Sequence, residues 1–321
     1  MNDFVGINLE DVADWFRQRD DFLVLTHRKP DGDTIGSAGG LVQGLRDFGK
    51  NAYILYNTEI TPRYEPFLSE YWAAEDYVPK HIISVDTATT ELFPVNGDVY
   101  KESIALSIDH HPTNTFFSEH TWLEPQRAAC GEMIYELLIN LNASVGEKVA
   151  NNLYIAISTD TGCFAYTNTT ADSLRIAAYL IEAGAMHNEL NKTLFRTFTK
   201  SRIMLEGMIY SGLEFHFDGN VAISTISQQM LEESAATDDD TDGIAAIPGS
   251  IEDVVVGITI RESIVGEECR ISLRSTEQIN SADVCARFGG GGHAAAAGCT
   301  IAKPIDEAKK ALLEVLGEYF P

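Results

Sequence analysis

Three short apolar runs, each reaching an acid or an imidazole within two residues of its end, constrain this chain most. Phe22-Leu23-Val24-Leu25 leads into Thr26-His27-Arg28-Lys29-Pro30-Asp31-Gly32-Asp33. His81-Ile82-Ile83-Ser84-Val85 is followed at once by Asp86, and Ile104-Ala105-Leu106-Ser107-Ile108 by Asp109-His110-His111. Runs this short, continuous and β-rich read as strands buried on both faces. Pro30 and Gly32 turn the chain after the first. Helical spacing follows over 34–49 (Ile35, Ala38, Leu41, Val42, Leu45), ending at Gly49, and a further strand over 52–56. Strand, helix and strand in succession imply βαβ units and a parallel sheet. In an open parallel sheet, functional groups gather at the carboxyl ends of the strands.

The remaining pattern fills out an α/β chain. Residues 8–20 read as a helix capped by Asn8, with Leu9, Val12, Ala13 and Phe16 on one face. Helices are expected over 128–142, 147–158 and 171–184. The second stops at Thr159-Asp160-Thr161-Gly162, which displays Asp160 at the end of a buried helix. Residues 190–213 read as one connecting helix with Ile203, Met204, Met208 and Ile209 as its apolar stripe. Strand-like runs follow at 221–226, 254–260 and 269–274, then a last helix over 304–319 with Ala308, Leu312, Val315 and Leu316 inward. The acidic stretch 237–243 reads as a solvated loop. A length of 321 residues allows two domains with a sizeable core.

Charge and cysteine usage narrow the function classes. The net charge is -25, from 48 acidic against 23 basic residues. That excludes broad binding to nucleic-acid backbones, which needs many cations, but leaves room for a small phosphate ligand. Five scattered cysteines with no Cys-x-x-Cys spacing fit free thiols in a reducing cytoplasm, not a disulfide framework or a thiolate zinc site. No run approaches the ~18 apolar residues that span a bilayer, and no membrane partner is expected.

Taken alone, the turn at 26–33 reads equally as a polar surface turn or as a cation site. The further acids decide for the second. His27, Asp31, Asp33, Asp86, Asp109, His110, His111 and Asp160 come from four separate turns and are aimed at one sheet edge. Five carboxylates and three imidazoles are too many for one ion and suit two ions about 3.5–4 Å apart sharing a carboxylate. A His/carboxylate set without Cys favours Mn²⁺ over Zn²⁺ or Ca²⁺, with Mg²⁺ and Fe²⁺ also compatible. Hydrolysis at phosphorus is the chemistry such a pair suits.

His27-x-x-Pro30-Asp31-Gly32-Asp33-x-x-Gly36-Ser37, Asp86 after a strand, Asp109-His110-His111 and Asp160-Thr161-Gly162-x-Phe164 resemble, in order, the four motifs of the DHH phosphoesterase superfamily. The resemblance implies a two-metal site, usually manganese. It implies that His27, Asp31 and Asp86 hold one ion and that Asp33, Asp86, His110 and Asp160 hold the other, with Asp86 bridging. Asp109 would orient the site and His111 would face the scissile phosphate.

Further on, Arg287-Phe288-Gly289-Gly290-Gly291-Gly292-His293 offers open backbone N–H groups to a phosphate, and a short helix over the alanines that follow is expected to add its dipole. In Cys269-Arg270-Ile271-Ser272-Leu273-Arg274-Ser275, alternation puts Ile271 and Leu273 on one face and Arg274 on the other. Together these stretches resemble the DHHA1 domain. That implies substrate binding through Arg274, Gly290, Gly291, Gly292 and His293. The expected layout is an N-terminal parallel-sheet DHH domain over 1–190, a linker helix over 191–213 and a smaller α/β DHHA1 domain over 214–321. Chains of this length with both domains are similar to the bifunctional oligoribonuclease and pAp phosphatase group. The expected substrate is short RNA or a small nucleotide such as 3′-phosphoadenosine 5′-phosphate (pAp), with no long duplex partner; a homodimer is compatible. The alternatives are a cyclic-di-AMP or pApA phosphodiesterase and a nucleotide-binding regulator without turnover.

Overall fold

The computed structural model describes residues 5–241, 243–263 and 267–320. The chain divides into two compact units, Met1–Thr197 and Phe198–Pro321.

The first unit runs β1 (Val5–Gly6), α1 (Leu9–Arg17), β2 (Phe22–Leu25), α2 (Gly32–Asp47), β3 (Ala52–Ile54), α3 (Glu65–Leu68), β4 (His81–Val85), β5 (Ile104–Asp109), β6 (His120–Leu123), α4 (Cys130–Leu141), α5 (Glu147–Asp160), α6 (Ala171–Glu182) and α7 (His187–Asn191). Its six strands lie in the order β1-β6-β5-β4-β2-β3, and each described pairing is parallel. The apolar runs are continuous because both sheet faces are covered. Phe22, Val24, Ile83, Val85, Leu106 and Ile108 enter one core with the helices, while Leu23, Leu25, Ile82 and Ile104 enter a second with Phe93. Asn8 does cap α1: its side chain accepts from the Glu10 and Asp11 amides, and Asp11 returns the bond.

Parallel strands put all their carboxyl ends on one edge. Asp86 and Asp109 stand at the ends of β4 and β5, and the turn after β2 supplies His27 and Asp31 to the same edge. Helices α2 and α5 complete it. They cross at unusually close range, because a Cβ built on Gly36 would lie 2.3 Å from the Asn152 carbonyl oxygen and 2.6 Å from the Ala156 nitrogen. That contact sets the first turn of α2, with Asp33, beside the last residue of α5, Asp160.

The second unit runs α8 (Lys200–Ser211), β7 (Glu214–His216), β8 (Val221–Ile226), α9 (Gln228–Ser234), β9 (Val256–Glu262), β10 (Cys269–Ser275), α10 (Ser281–Ala286), β11 (Gly291–His293), β12 (Ala296–Ile301) and α11 (Ile305–Leu316). Its sheet has the order β11-β12-β10-β9-β8-β7 and is mixed: β8 and β9 are parallel, the other described pairs antiparallel.

Two expectations from the sequence are corrected. The single helix over 190–213 is broken. A π-helical turn at Lys192–Arg196 ends in extended backbone at Thr197, and Thr199 starts α8 afresh by accepting from the Arg202 amide. Its buried residues are Leu205 and Ile209, while Ile203 and Met204 are exposed. The alanines after the glycine run form no helix. They pair instead as the β11–β12 hairpin, in which His293 faces Ala296 and Gly291 faces Gly298. Strand pairing satisfies these backbone groups along β10, and Ala297 gains a place in the core beside Leu273.

Candidate metal centre

Seven residues on five elements and turns converge. Three sets of potential ligand atoms lie within 4.8 Å of one another: His27, Asp31 and Asp86; Asp33, His110 and Asp160; and Asp86, His110 and His111. Asp86 and His110 each belong to two sets. The His110 Nε2 atom lies 3.6 Å from Asp33 Oδ2, 3.4 Å from Asp86 Oδ1 and 3.8 Å from Asp160 Oδ2. His27 Nε2 lies 3.9 Å from Asp31 Oδ1.

Local structure holds each group in place. Asp31 is the N-cap of α2, accepting from the Thr34 amide at 3.1 Å. Asp33 is buried, and accepts from the Cys130 amide at 2.7 Å, the Gly131 amide at 3.0 Å and Ser37 Oγ at 2.9 Å. The start of α4 therefore faces this carboxylate, where its dipole favours negative charge. Asp86 adopts a left-handed backbone, φ 51°, while its N–H donates to the Ile108 carbonyl at 2.9 Å. Such a conformation costs an aspartate on the order of 1 kcal/mol or more and persists where surrounding structure imposes it. The Asp86 carboxylate belongs to two of the three sets. Thr34 Oγ1 donates to Asp86 Oδ2 at 2.6 Å, while Asp86 Oδ1 is buried without a hydrogen-bond partner. His27 is steadied from behind: the buried Asn57 amide donates to the His27 carbonyl at 2.8 Å.

The electrostatics point to a cation. Burial pushes the Asp33 carboxyl well above its ordinary value, and the neighbouring Asp86 adds to it. Burial likewise pushes Asp160 up to about 6, with Asp31 and Asp86 adding to the rise. Burial would lower His110, but the carboxylates of Asp86, Asp33 and Asp160, 3.4–3.8 Å from its Nε2, outweigh it, holding the imidazole protonated up to about 11. A proton on His110 here balances charge that a divalent ion would balance better. The orphaned Asp86 Oδ1 and the oxygen/imidazole donor set both fit such an ion. So does the orientation of His110: its Nδ1 donates to the Arg127 carbonyl at 3.1 Å, which turns Nε2 toward the acids.

Asp109 and His111 stand apart in role. Asp109 is fully buried and meets His111 Nδ1 at 2.7 Å through Oδ1, while its Oδ2 accepts from the Asn114 amide at 2.7 Å. With Nδ1 committed to Asp109, His111 turns its Nε2 away, and the bond raises its affinity for a proton. An imidazole so held can deliver a proton to a leaving oxygen.

Of the residues that hold these groups, the sequence reading named Ser37 only as part of a motif and passed over Thr34, Asn57, Asn114 and the turn over 124–131. Thr34 and Ser37 carry a weak signal, since they stand three and four residues after Asp31 and Asp33 on one helix.

The glycine-rich segment and Arg274 lie in the second unit. Register places Arg274, Ala296 and His293 on one rung across β10, β12 and β11. Residues opposite one another share a face, and here it is the face opposite buried Leu273 and Ala297. Arg274 and His293 are thus two strands apart, on the order of 10 Å, on the face where Gly249 packs against Gly257 and Arg274. Gly291, Gly292 and His293 are exposed. Gly290 is fixed by space: a Cβ there would lie 2.2 Å from the Gly298 carbonyl oxygen.

Both units match domains of known families. Residues 21–157 match the DHH family N-terminal domain, and residues 218–320 match the DHHA1 domain. The bifunctional oligoribonuclease and PAP phosphatase NrnA of Thermus thermophilus is 32% identical over 92% of this chain and 89% of its own length. The cyclic-di-AMP phosphodiesterase PdeA of Listeria monocytogenes is 27% identical over 94% of this chain, which spans 48% of that relative. An exopolyphosphatase-related protein from Bacteroides fragilis shares the fold with a TM-score of 0.86 at 24% identity, covering 98% of this chain and 96% of that one. Fold and site together define a phosphoesterase, a hydrolase. The chain belongs to the DHH family that carries a DHHA1 domain, in the group of the bifunctional oligoribonucleases and PAP phosphatases.

Proposed function

We propose that this chain is a two-metal, manganese-dependent phosphoesterase that hydrolyses very short oligoribonucleotides and 3′-phosphoadenosine 5′-phosphate in a reducing, cytoplasmic setting. The observation that carries this reading is the sharing of Asp86 and His110 between sets of clustered ligand atoms. One ion falls to His27, Asp31 and Asp86, the other to Asp33, Asp86, His110 and Asp160. Bound there, divalent ions acidify a water near neutral pH and neutralise charge developing on the phosphoryl oxygens.

The chain's own residues supply the rest. Asp109 fixes the tautomer of His111, and His111 holds a proton for the departing oxygen. Thr34 orients Asp86, and the first amides of α4 orient Asp33. Arg274 and His293, on one sheet face, grip a phosphate of the substrate, with the Gly290–Gly292 backbone beside them. The acidic surface, net charge -25, suits a short substrate over a long polymer. All five cysteines are free, which fits a reducing compartment. Among the described residues, no helix is long and apolar enough to cross a membrane.

The PdeA likeness favours a second reading, hydrolysis of cyclic-di-AMP or pApA. One assay separates them: pAp, a diribonucleotide, pApA and cyclic-di-AMP at matched Mn²⁺, each with and without chelator. Chelator-sensitive release from pAp and the diribonucleotide is expected. Turnover of cyclic-di-AMP alone selects the second reading, and no chelator-sensitive release from any of the four refutes both.

A further inference from the structure

We infer that Arg127 is a positioning residue for the metal centre, acting by clamping the turn that braces three of the groups assigned to one ion. This rests on the two-metal reading above.

Three separate contacts link that turn to the site. The Arg127 carbonyl accepts from His110 Nδ1 at 3.1 Å. The Cys130 and Gly131 amides hold the two oxygens of Asp33 at 2.7 and 3.0 Å. Asn168 Nδ2 donates to the Ala128 carbonyl at 3.2 Å and to the Asp160 carbonyl at 3.1 Å, tying the turn to the end of α5. His110, Asp33 and Asp160 are one of the clustered sets. His27 and Asp31, by contrast, have no hydrogen bond to this turn among the described residues.

The turn itself makes little regular structure, so something has to fix it. The Arg127 side chain does so from both ends. Its Nε donates to Glu124 Oε2 at 2.7 Å, and its NH2 group to Glu136 Oε2 at 2.6 Å. Glu124 is anchored in turn by Trp122 Nε1 at 2.9 Å, and Glu136 belongs to α4. The guanidinium is one-fifth exposed, and both carboxylates about one-third. A planar fork engaging two carboxylates at once fixes direction as well as distance, which an ammonium does not. Groups that orient a metal ligand typically change affinity by about 10–100-fold when removed.

The test is calorimetric titration of the chelator-treated full chain with Mn²⁺ alone, in the unmutated protein, Arg127→Ala, Arg127→Lys and the Glu124→Gln/Glu136→Gln pair. The pair releases the clamp from its other end, so a folding failure in one variant does not decide the matter. The unmutated protein is expected to bind two ions. Each variant is expected to weaken one of them by about 10–100-fold while the other stays within about threefold, with Arg127→Lys intermediate. Activity on pAp is expected to return when Mn²⁺ is raised, with KM unchanged. Two sites of unaltered affinity in all three variants would overturn the inference, as would equal weakening of both sites with a falling melting temperature. An unmutated protein that binds no Mn²⁺ would overturn the functional reading beneath it instead.

Discussion

Gly36 is where the fold and the site are joined most tightly, so Gly36→Ala is the sharpest perturbation. Alanine is the better helix former by about 1 kcal/mol, and on propensity alone the change in mid-α2 stabilises. The structure says that packing wins. The new methyl would sit 2.3 Å from the Asn152 carbonyl oxygen, 2.6 Å from the Ala156 nitrogen and 2.9 Å from the Ala156 Cβ. Two of these three atoms are backbone, so no side chain can swing aside. Ordinary contact begins near 3.4 Å, and α5 therefore has to recede from α2 by about 1 Å. Overpacking of this kind costs roughly 1–3 kcal/mol. The net loss, after the helix gain, is about 0–2 kcal/mol, a fall of up to roughly 8 °C in melting temperature for a domain of this size. The effect on the site is larger, because metal–ligand distances tolerate only about 0.2 Å, and Asp33 and Asp160 ride on the two helices that part. Mn²⁺-dependent turnover is expected to fall at least 100-fold, read with pAp at saturating substrate beside a thermal melt. Gly207→Ala is the control: it lies in exposed α8 with nothing near its added methyl. It is expected to hold or raise the melting temperature. A Gly36→Ala protein with unchanged melting point and turnover would refute the packing argument.

Asp160→Asn is expected to abolish turnover yet raise the melting temperature of the chelated protein at pH 7. Its carboxyl is pushed up to about 6, so its charge destabilises the fold as pH rises through about 4 to 6, and the amide removes that charge. The same shift predicts that Mn²⁺ affinity of the unmutated protein falls as pH drops below about 6, measured by calorimetry across pH. Asp109→Asn is expected to lower kcat by about 100–10,000-fold while leaving Mn²⁺ binding within a few-fold, since it orients His111 and is not placed as a ligand. Arg274→Ala is expected to raise KM about tenfold or more with kcat little changed, read from initial rates on pAp; an unaltered KM would show that the phosphate is held elsewhere.

Much of the site was legible because strand carboxyl ends are legible. An apolar run that stops at Asp86 or Asp109 announces both a buried strand and the acid at its tip, and parallel pairing then brings the tips together. The helix break at Thr197–Thr199 was not legible. Apolar residues continue through 190–213, and only the capping bond of Thr199 reveals the restart. The alanines after Gly292 misled for a related reason: their propensity is helical, but pairing with β10 overrides it and buries Ala297. The left-handed backbone of Asp86 left no trace either, since an aspartate there reads as an ordinary residue after a strand. The bracing role of 124–131 depends on main-chain atoms, which every sequence possesses alike.

The central claim is that two divalent ions share Asp86. Crystals grown with Mn²⁺ and measured at the manganese absorption edge test it most directly. Two anomalous peaks about 3.5–4 Å apart are expected, with Asp86 touching both, His27 and Asp31 at one, and Asp33, His110 and Asp160 at the other. A single peak, or manganese bound away from these residues, would contradict it.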